Sequence, residues 1–146
     1  MSISTAQFQE MLARTEFNAG RVPKMSADPV EKESDLHDDI IGLCRARGWY
    51  YVHSRMDRAT TQAKGVSDFV IALDGGVTVW IEAKAKRGKV TTEQLATIAH
   101  LKKLGHAAGI AYNMADVADL IVTAQVAAAE VRAGLESGRQ LSEPGL

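Results

Sequence analysis

Apolar and polar positions alternate with two different periods along the chain. In "DPVEKESDLHDDIIGLCRARG", Leu36, Ile40, Leu43 and Cys44 recur at helical spacing and predict a buried stripe. Asp28 is placed to cap that helix, Pro29 suits its first position, Glu31 completes a capping box and Gly48 ends it. "WYYVHSR" reads as a strand, and "MDRATTQAKG" as a polar loop. Two further strands follow in "GVSDFVIALDGGVTVWIEAKAKRG", joined at Asp74-Gly75-Gly76. Thr91 to Leu104 predicts a helix closed by Gly105, "AAGIAYN" a short strand, and Asp116 to about Arg132 an Ala-rich helix carrying Val117, Leu120, Ile121 and Val126. Residues 1–20 suggest a short helix with Phe8, Met11 and Leu12 apolar, residues 20–27 a linker, and the last dozen residues a frayed end. The order α-β-β-β-α-β-α describes an α/β sandwich with a small mixed sheet. The expected organisation is an N-terminal segment over 1–27, a domain over 28–134 and a tail over 135–146.

The second strand of the hairpin raises a question of chemistry. Side chains in a strand alternate faces. Val77, Val79, Ile81 and Ala83 therefore share one face, while Thr78, Trp80, Glu82 and Lys84 share the other. Glu82 and Lys84 point the same way, about 6.6 Å apart along the strand. Asp68 depends on the turn. A two-residue Gly75-Gly76 turn sets Asp68 and Glu82 on different faces. A three-residue loop, Asp74 to Gly76 with Gly76 left-handed, sets them directly opposite, with Cβ atoms about 5 Å apart. Two carboxylates that close repel unless one is protonated or a cation lies between them. Mg²⁺ or Mn²⁺ suits such a pair. A third acid, Glu33, precedes Leu36 by three residues and Ile40 by seven, on the buried stripe of its helix. It can aim at the end of a sheet, or merely favour the helix dipole. Each acid also has a plainer role: Asp68 as a turn residue, Glu82 and Lys84 as a charged edge-strand pair, and Gln94 as the partner of Thr91 in a capping box. The four histidines, His37, His53, His100 and His106, lack metal-ligand spacing and read as surface or satisfied residues. His37 is the exception to note, because it lies one turn from Glu33.

Composition narrows the classes without choosing among them. The 146 residues are 46% hydrophobic and 24% charged, enough for one soluble domain with a core. A single cysteine excludes an internal disulfide and a multi-cysteine zinc site, and fits a reducing, cytoplasmic setting. The start shows neither signal-peptide pattern nor membrane-length apolar run. The net charge of −1 argues against a generic polycation, yet Ile41 to Lys103 holds eleven Lys and Arg against five Asp and Glu, or +6. A basic middle can hold a polyanion, or be a solvated surface.

Taken in order, these residues resemble a known pattern. Ser67-Asp68-Phe69, with thirteen residues between Asp68 and Glu82, then Glu82-Ala83-Lys84, resembles the PD-(D/E)xK motif of restriction-endonuclease-like nucleases. The preceding acid-bearing helix, the "GVSD" turn and the following "TTEQL" helix are similar to the virus-type replication-repair nuclease (VRR-NUC) family, over roughly Glu33 to Ile121. Ser67 stands where that motif usually has proline, a position that supplies no ligand. The resemblance implies a restriction-endonuclease-like core. It implies metal binding by Glu33, Asp68, Glu82 and the Ala83 carbonyl, with Lys84 as the motif lysine and Gln94 as the family glutamine. Mg²⁺ or Mn²⁺ is the implied cofactor and DNA the implied partner. Arg58, Lys64, Lys86, Arg87 and Lys89 flank the motif and are candidates to hold the DNA backbone. Small proteins of this build resemble phage enzymes that cut branched DNA such as four-way junctions, and the two-fold symmetry of a junction makes a homodimer the natural cutter. General repair or restriction cleavage, a non-catalytic nucleic-acid binder of the same fold, and a small α/β interaction protein are the alternatives.

Overall fold

The computed structural model describes residues 23–54 and 64–141, with Ser4 and Ala6. Apart from Ser4 and Ala6, the expected helix over 1–20 lies outside the described residues, as does Arg58. Seven elements follow in the expected order: α1 (Glu33–Arg47), β1 (Tyr50–His53), β2 (Phe69–Leu73), β3 (Val77–Ala83), α2 (Thr92–Lys103), β4 (Ala107–Ala111) and α3 (Met114–Leu141). The sheet order is β1-β2-β3-β4, with β1, β2 and β3 antiparallel and β4 parallel to β3. This small mixed sheet with flanking helices has the layout of a restriction-endonuclease-like core.

The helical stripe lies where its spacing put it, since Leu36, Ile40, Leu43 and Cys44 are all buried. They pack against Phe69, Ile71, Val79, Ile81 and Ala83 from one sheet face and against Met114, Val117, Ile121 and Ala124 from α3. Burying an aliphatic or aromatic side chain of this kind contributes about 1.5–3 kcal/mol. The core therefore fixes one face of the hairpin β2–β3 against two helices.

The β2–β3 turn has the odd length that brings the acids together. Leu73 pairs with Val77, leaving Asp74, Gly75 and Gly76 as a three-residue loop. Both glycines are left-handed, at φ 82° and 76°, where an L side chain is strained. The turn is also tied down. Trp49 Nε1 donates to Asp74 Oδ2 at 2.9 Å, and the Arg132 guanidinium lies 2.7 Å from where a Cβ on Gly75 would sit.

Two boundaries differ from expectation. The first helix begins at Glu33, not beside an Asp28 cap, and its N-cap Lys32 makes no side-chain capping bond. The cause is tertiary. Val30 N–H donates to the Tyr112 carbonyl at 2.9 Å, and the Val30 carbonyl accepts from Lys86 N–H at 2.8 Å. Both backbone groups of Val30 are thus used by the loops after β4 and β3, which holds residues before the helix out of helical hydrogen bonding. The last helix runs from Met114 to Leu141, past the expected end near Arg132. Seven of the ten residues from Arg132 to Leu141 are Ala, Leu, Glu, Gln or Arg, whose helix propensity offsets that of Gly134, Ser137 and Gly138. Among the described residues no helix is long and apolar enough to cross a membrane.

Candidate metal centre

The β2–β3 register ends with Phe69 opposite Ile81. One step further, Asp68 stands across from Glu82. Asp68 is clamped on both sides: its backbone carbonyl accepts from Ser54 N–H at 2.8 Å, and its Oδ2 accepts from Ala83 N–H at 2.9 Å. Gly65, at φ 84°, lets the approach to Asp68 lie against the start of α2, because a Cβ there would meet the Glu93 carbonyl at 2.6 Å. Sequence alternation put Glu82 and Lys84 on the face away from the apolar core. Both are nevertheless buried, at 2% and 8% exposure, since the starts of α1 and α2 close over them.

Four side chains converge on this end of the hairpin. Lys84 Nζ lies 2.9 Å from Glu82 Oε1 and 3.9 Å from Glu33 Oε2. Gln94 Nε2 donates a hydrogen bond to the same Glu82 Oε1. The Gln94 amide has a second task, because its Oε1 accepts from Thr91 N–H at 2.9 Å while Thr91 Oγ1 accepts from Gln94 N–H. The capping-box role and the contact with the acid are therefore both present in one residue. Glu82 Oε2 remains buried without a hydrogen-bond partner, an unfavourable state for a carboxylate oxygen.

His37 completes the cluster. It lies one turn after Glu33 on α1, and its Nε2 is 3.8 Å from Glu33 Oε1 and 3.6 Å from Asp68 Oδ2. Those separations exceed hydrogen-bond length, and His37 Nε2 is buried without a hydrogen-bond partner. One donor atom from each of Glu33, His37 and Asp68 lies within 4.8 Å of the others. The sequence named Glu33 and Asp68 as ligands and noted His37 only as the exception among the histidines, without a ligand role. The available signal was its four-residue spacing from Glu33. Glu82, counted with the ligands from sequence, stands beside this trio with one oxygen engaged by Lys84 and Gln94 and the other free. Ala83 is placed at the site through its amide, bonded to Asp68.

The electrostatics follow from crowding acids around one lysine and one imidazole. The His37 pKa is raised, first by its polar contact with the Asp68 carboxylate. Burial opposes that rise, and the charges of Asp68, Glu33 and Glu82 reinforce it. Burial pushes the Glu82 carboxyl up, the Lys84 hydrogen bond pulls it back, and the Asp68 and Glu33 charges add to the rise. Burial draws the Lys84 ammonium down, but its hydrogen bond to Glu82 and the surrounding acids outweigh this and leave it raised. Carboxylates with an imidazole, plus buried donor atoms lacking partners, fit a divalent cation.

The candidate DNA contacts have mixed placement. Lys64 is exposed on the turn that leads to Asp68, and Lys86, Arg87 and Lys89 are exposed on the loop after β3. Lys86 Nζ lies 3.7 Å from Glu31.

No family model and no curated protein matches the chain. A solved structure described as "VRR_NUC domain" is similar to it. The two are 22% identical with a TM-score of 0.49, over 61% of this chain and 92% of that one. Its printed description is the domain type that the Asp68–Lys84 motif resembles.

Proposed function

We propose that the protein is a divalent-metal-dependent endonuclease that hydrolyses DNA phosphodiester bonds. The observation that carries this reading is the buried Lys84 ammonium, bonded to Glu82 and facing Glu33, beside an Asp68 positioned by the neighbouring strand. A lysine and three acids gathered at a strand end are what phosphodiester hydrolysis requires: a place for a cation and a fixed positive charge beside the attacked phosphate.

Glu33, Asp68 and Glu82, with the Ala83 carbonyl, would hold Mg²⁺ or Mn²⁺. When bound, such an ion supplies polarisation of the phosphate and a more acidic water. Lys84 orients the attacking water and offsets charge that builds on the phosphate oxygens. Gln94 holds the Glu82 carboxylate in one rotamer by donating to its Oε1, which leaves the second oxygen without a hydrogen bond. Lys64, Lys86, Arg87 and Lys89 contact the DNA backbone, with Arg58, which lies in sequence between β1 and Asp68, as a further candidate. No base-reading module is evident in the sequence, so recognition is by shape, and branched DNA such as a four-way junction is the preferred substrate. A homodimer matches the two incisions a junction needs. A single reduced cysteine suits a cytoplasmic setting, in a bacterium or a phage-infected cell. The domain that does this work is 28–134.

A cleavage panel tests the reading. Linear duplex, single strand, flap and four-way junction are incubated with Mg²⁺, Mn²⁺ or EDTA, beside Asp68→Asn. Metal-dependent cutting that Asp68→Asn abolishes is the expected result. Binding of junctions without cutting under any metal would favour the non-catalytic binder, and equal cutting of linear and branched DNA would favour a general repair or restriction nuclease.

A further inference from the structure

We infer that His37 is a nitrogen ligand of the metal, that His53 is the positioning residue that aims it, and that this imidazole tilts the site toward Mn²⁺ over Mg²⁺. The inference rests on the metal-dependent reading above. Three observations lead to it. His37 Nε2 lacks a hydrogen-bond partner while facing Glu33 Oε1 and Asp68 Oδ2 at 3.8 and 3.6 Å. Those three donor atoms lie within 4.8 Å of one another, close enough to share one ion. Independently, Glu82, 2% exposed and bonded to Lys84 beside the trio, has a buried Oε2 with no hydrogen-bond partner.

The other side of the His37 ring explains how it is held. Its Nδ1 lies 3.0 Å from His53 Nε2. His53 in turn stacks face to face on Phe69, with ring centroids 4.4 Å apart and planes 2° apart, and His37 meets Phe69 edge-on at 5.2 Å. Phe69 is a fully buried core residue, so the core fixes both imidazoles. A metal-ligating histidine presents one bare nitrogen and donates the N–H of the other to an acceptor that fixes its tautomer. Here the consistent assignment is His37 Nδ1–H donating to His53 Nε2, with the lone pair of His37 Nε2 directed between the two carboxylates. Mg²⁺ favours an all-oxygen shell, whereas imidazole nitrogen suits ions later in the transition series, and Mn²⁺ accepts both. A mixed oxygen and nitrogen donor set therefore discriminates between them.

The test needs no catalysis. Mn²⁺ is titrated into the full chain labelled with ¹⁵N only in its histidine imidazoles, and the bound ion is read by pulsed electron paramagnetic resonance. The expected result is a hyperfine coupling from one imidazole nitrogen, lost in His37→Gln. Calorimetry should show weaker Mn²⁺ binding in His37→Gln with little change for Mg²⁺. His53→Phe keeps the ring on Phe69 but removes the acceptor. It should weaken Mn²⁺ binding by about tenfold and broaden the nitrogen coupling, while the variant still melts cooperatively in EDTA. Mn²⁺ bound through oxygen alone in the wild type, or a coupling that survives in His37→Gln, would overturn the inference while leaving the nuclease reading intact. No binding of either ion would overturn both.

Discussion

Removing the ammonium of Lys84 isolates the electrostatic cost of the site. Lys84→Met keeps the length of the stem and deletes the charge that faces Glu82 Oε1 at 2.9 Å. At an effective dielectric of 20, that pair attracts by about 6 kcal/mol before desolvation is counted. Breaking a buried pair by deleting one partner typically costs about 3–5 kcal/mol. Glu82 has an escape, because protonation removes its charge, and burial with Asp68 and Glu33 already raises its pKa. Losing the Lys84 bond raises it further. An acid whose folded pKa lies above its unfolded value destabilises the fold as pH climbs from the unfolded value, 4.5 for Glu82, to the raised one, because the unfolded chain gives up its proton first. Lys84→Met should therefore be close to wild type near pH 4 and lose stability progressively toward pH 8. Adding Glu82→Gln should restore most of the loss at pH 8, because a neutral amide needs no counter-charge. Urea melts of wild type, single and double variants at pH 4, 6 and 8 in EDTA check this. A Lys84→Met protein within about 0.5 kcal/mol of wild type at pH 8, the range of an ordinary surface substitution, would refute the buried-pair reasoning.

Other expectations follow from single contacts. Asp68→Asn can still accept from Ala83 N–H, so it should fold, yet it should flatten the rise in melting temperature that Mn²⁺ produces, since ligand linkage needs the intact donor; a rise equal to wild type in thermal scans would count against Asp68 as a ligand. Thr91→Ala should cost about 1 kcal/mol in urea melts by removing one half of the capping box and leave cleavage nearly unchanged. Gln94→Ala should cost a similar amount and also slow cleavage, because it frees the Glu82 carboxylate as well. The Cys44 thiol, fully buried and pushed up to about 12 by burial, should resist alkylation at pH 8 and react only in denaturant; rapid labelling of the folded protein would show that α1 opens readily.

The path from residues to site divides between local and tertiary causes. Helical spacing was enough to name Leu36, Ile40, Leu43 and Cys44 as a buried stripe, because the period of a helix sets which side chains share a face. Alternation in β3 was enough to put Glu82 and Lys84 on one side. The hairpin was legible only as two alternatives, and the three-residue turn, pinned by Trp49 and Arg132, selects the register that sets Asp68 across from Glu82. Glu82 was legible as an acid, but not the division of its oxygens, one held by Lys84 and Gln94 and the other left bare; that depends on how α2 docks. The start of α1 and the role of His37 were beyond local reading. Val30 is held out of the helix by backbone partners on two distant loops. His37 reaches Asp68 only when α1 settles over Phe69, because Asp68 is supplied by another part of the chain. Periodicity determines which way a side chain leaves its own element. Which groups it meets there is decided by the packing of elements against one another, and the chemistry of this site lies in those meetings.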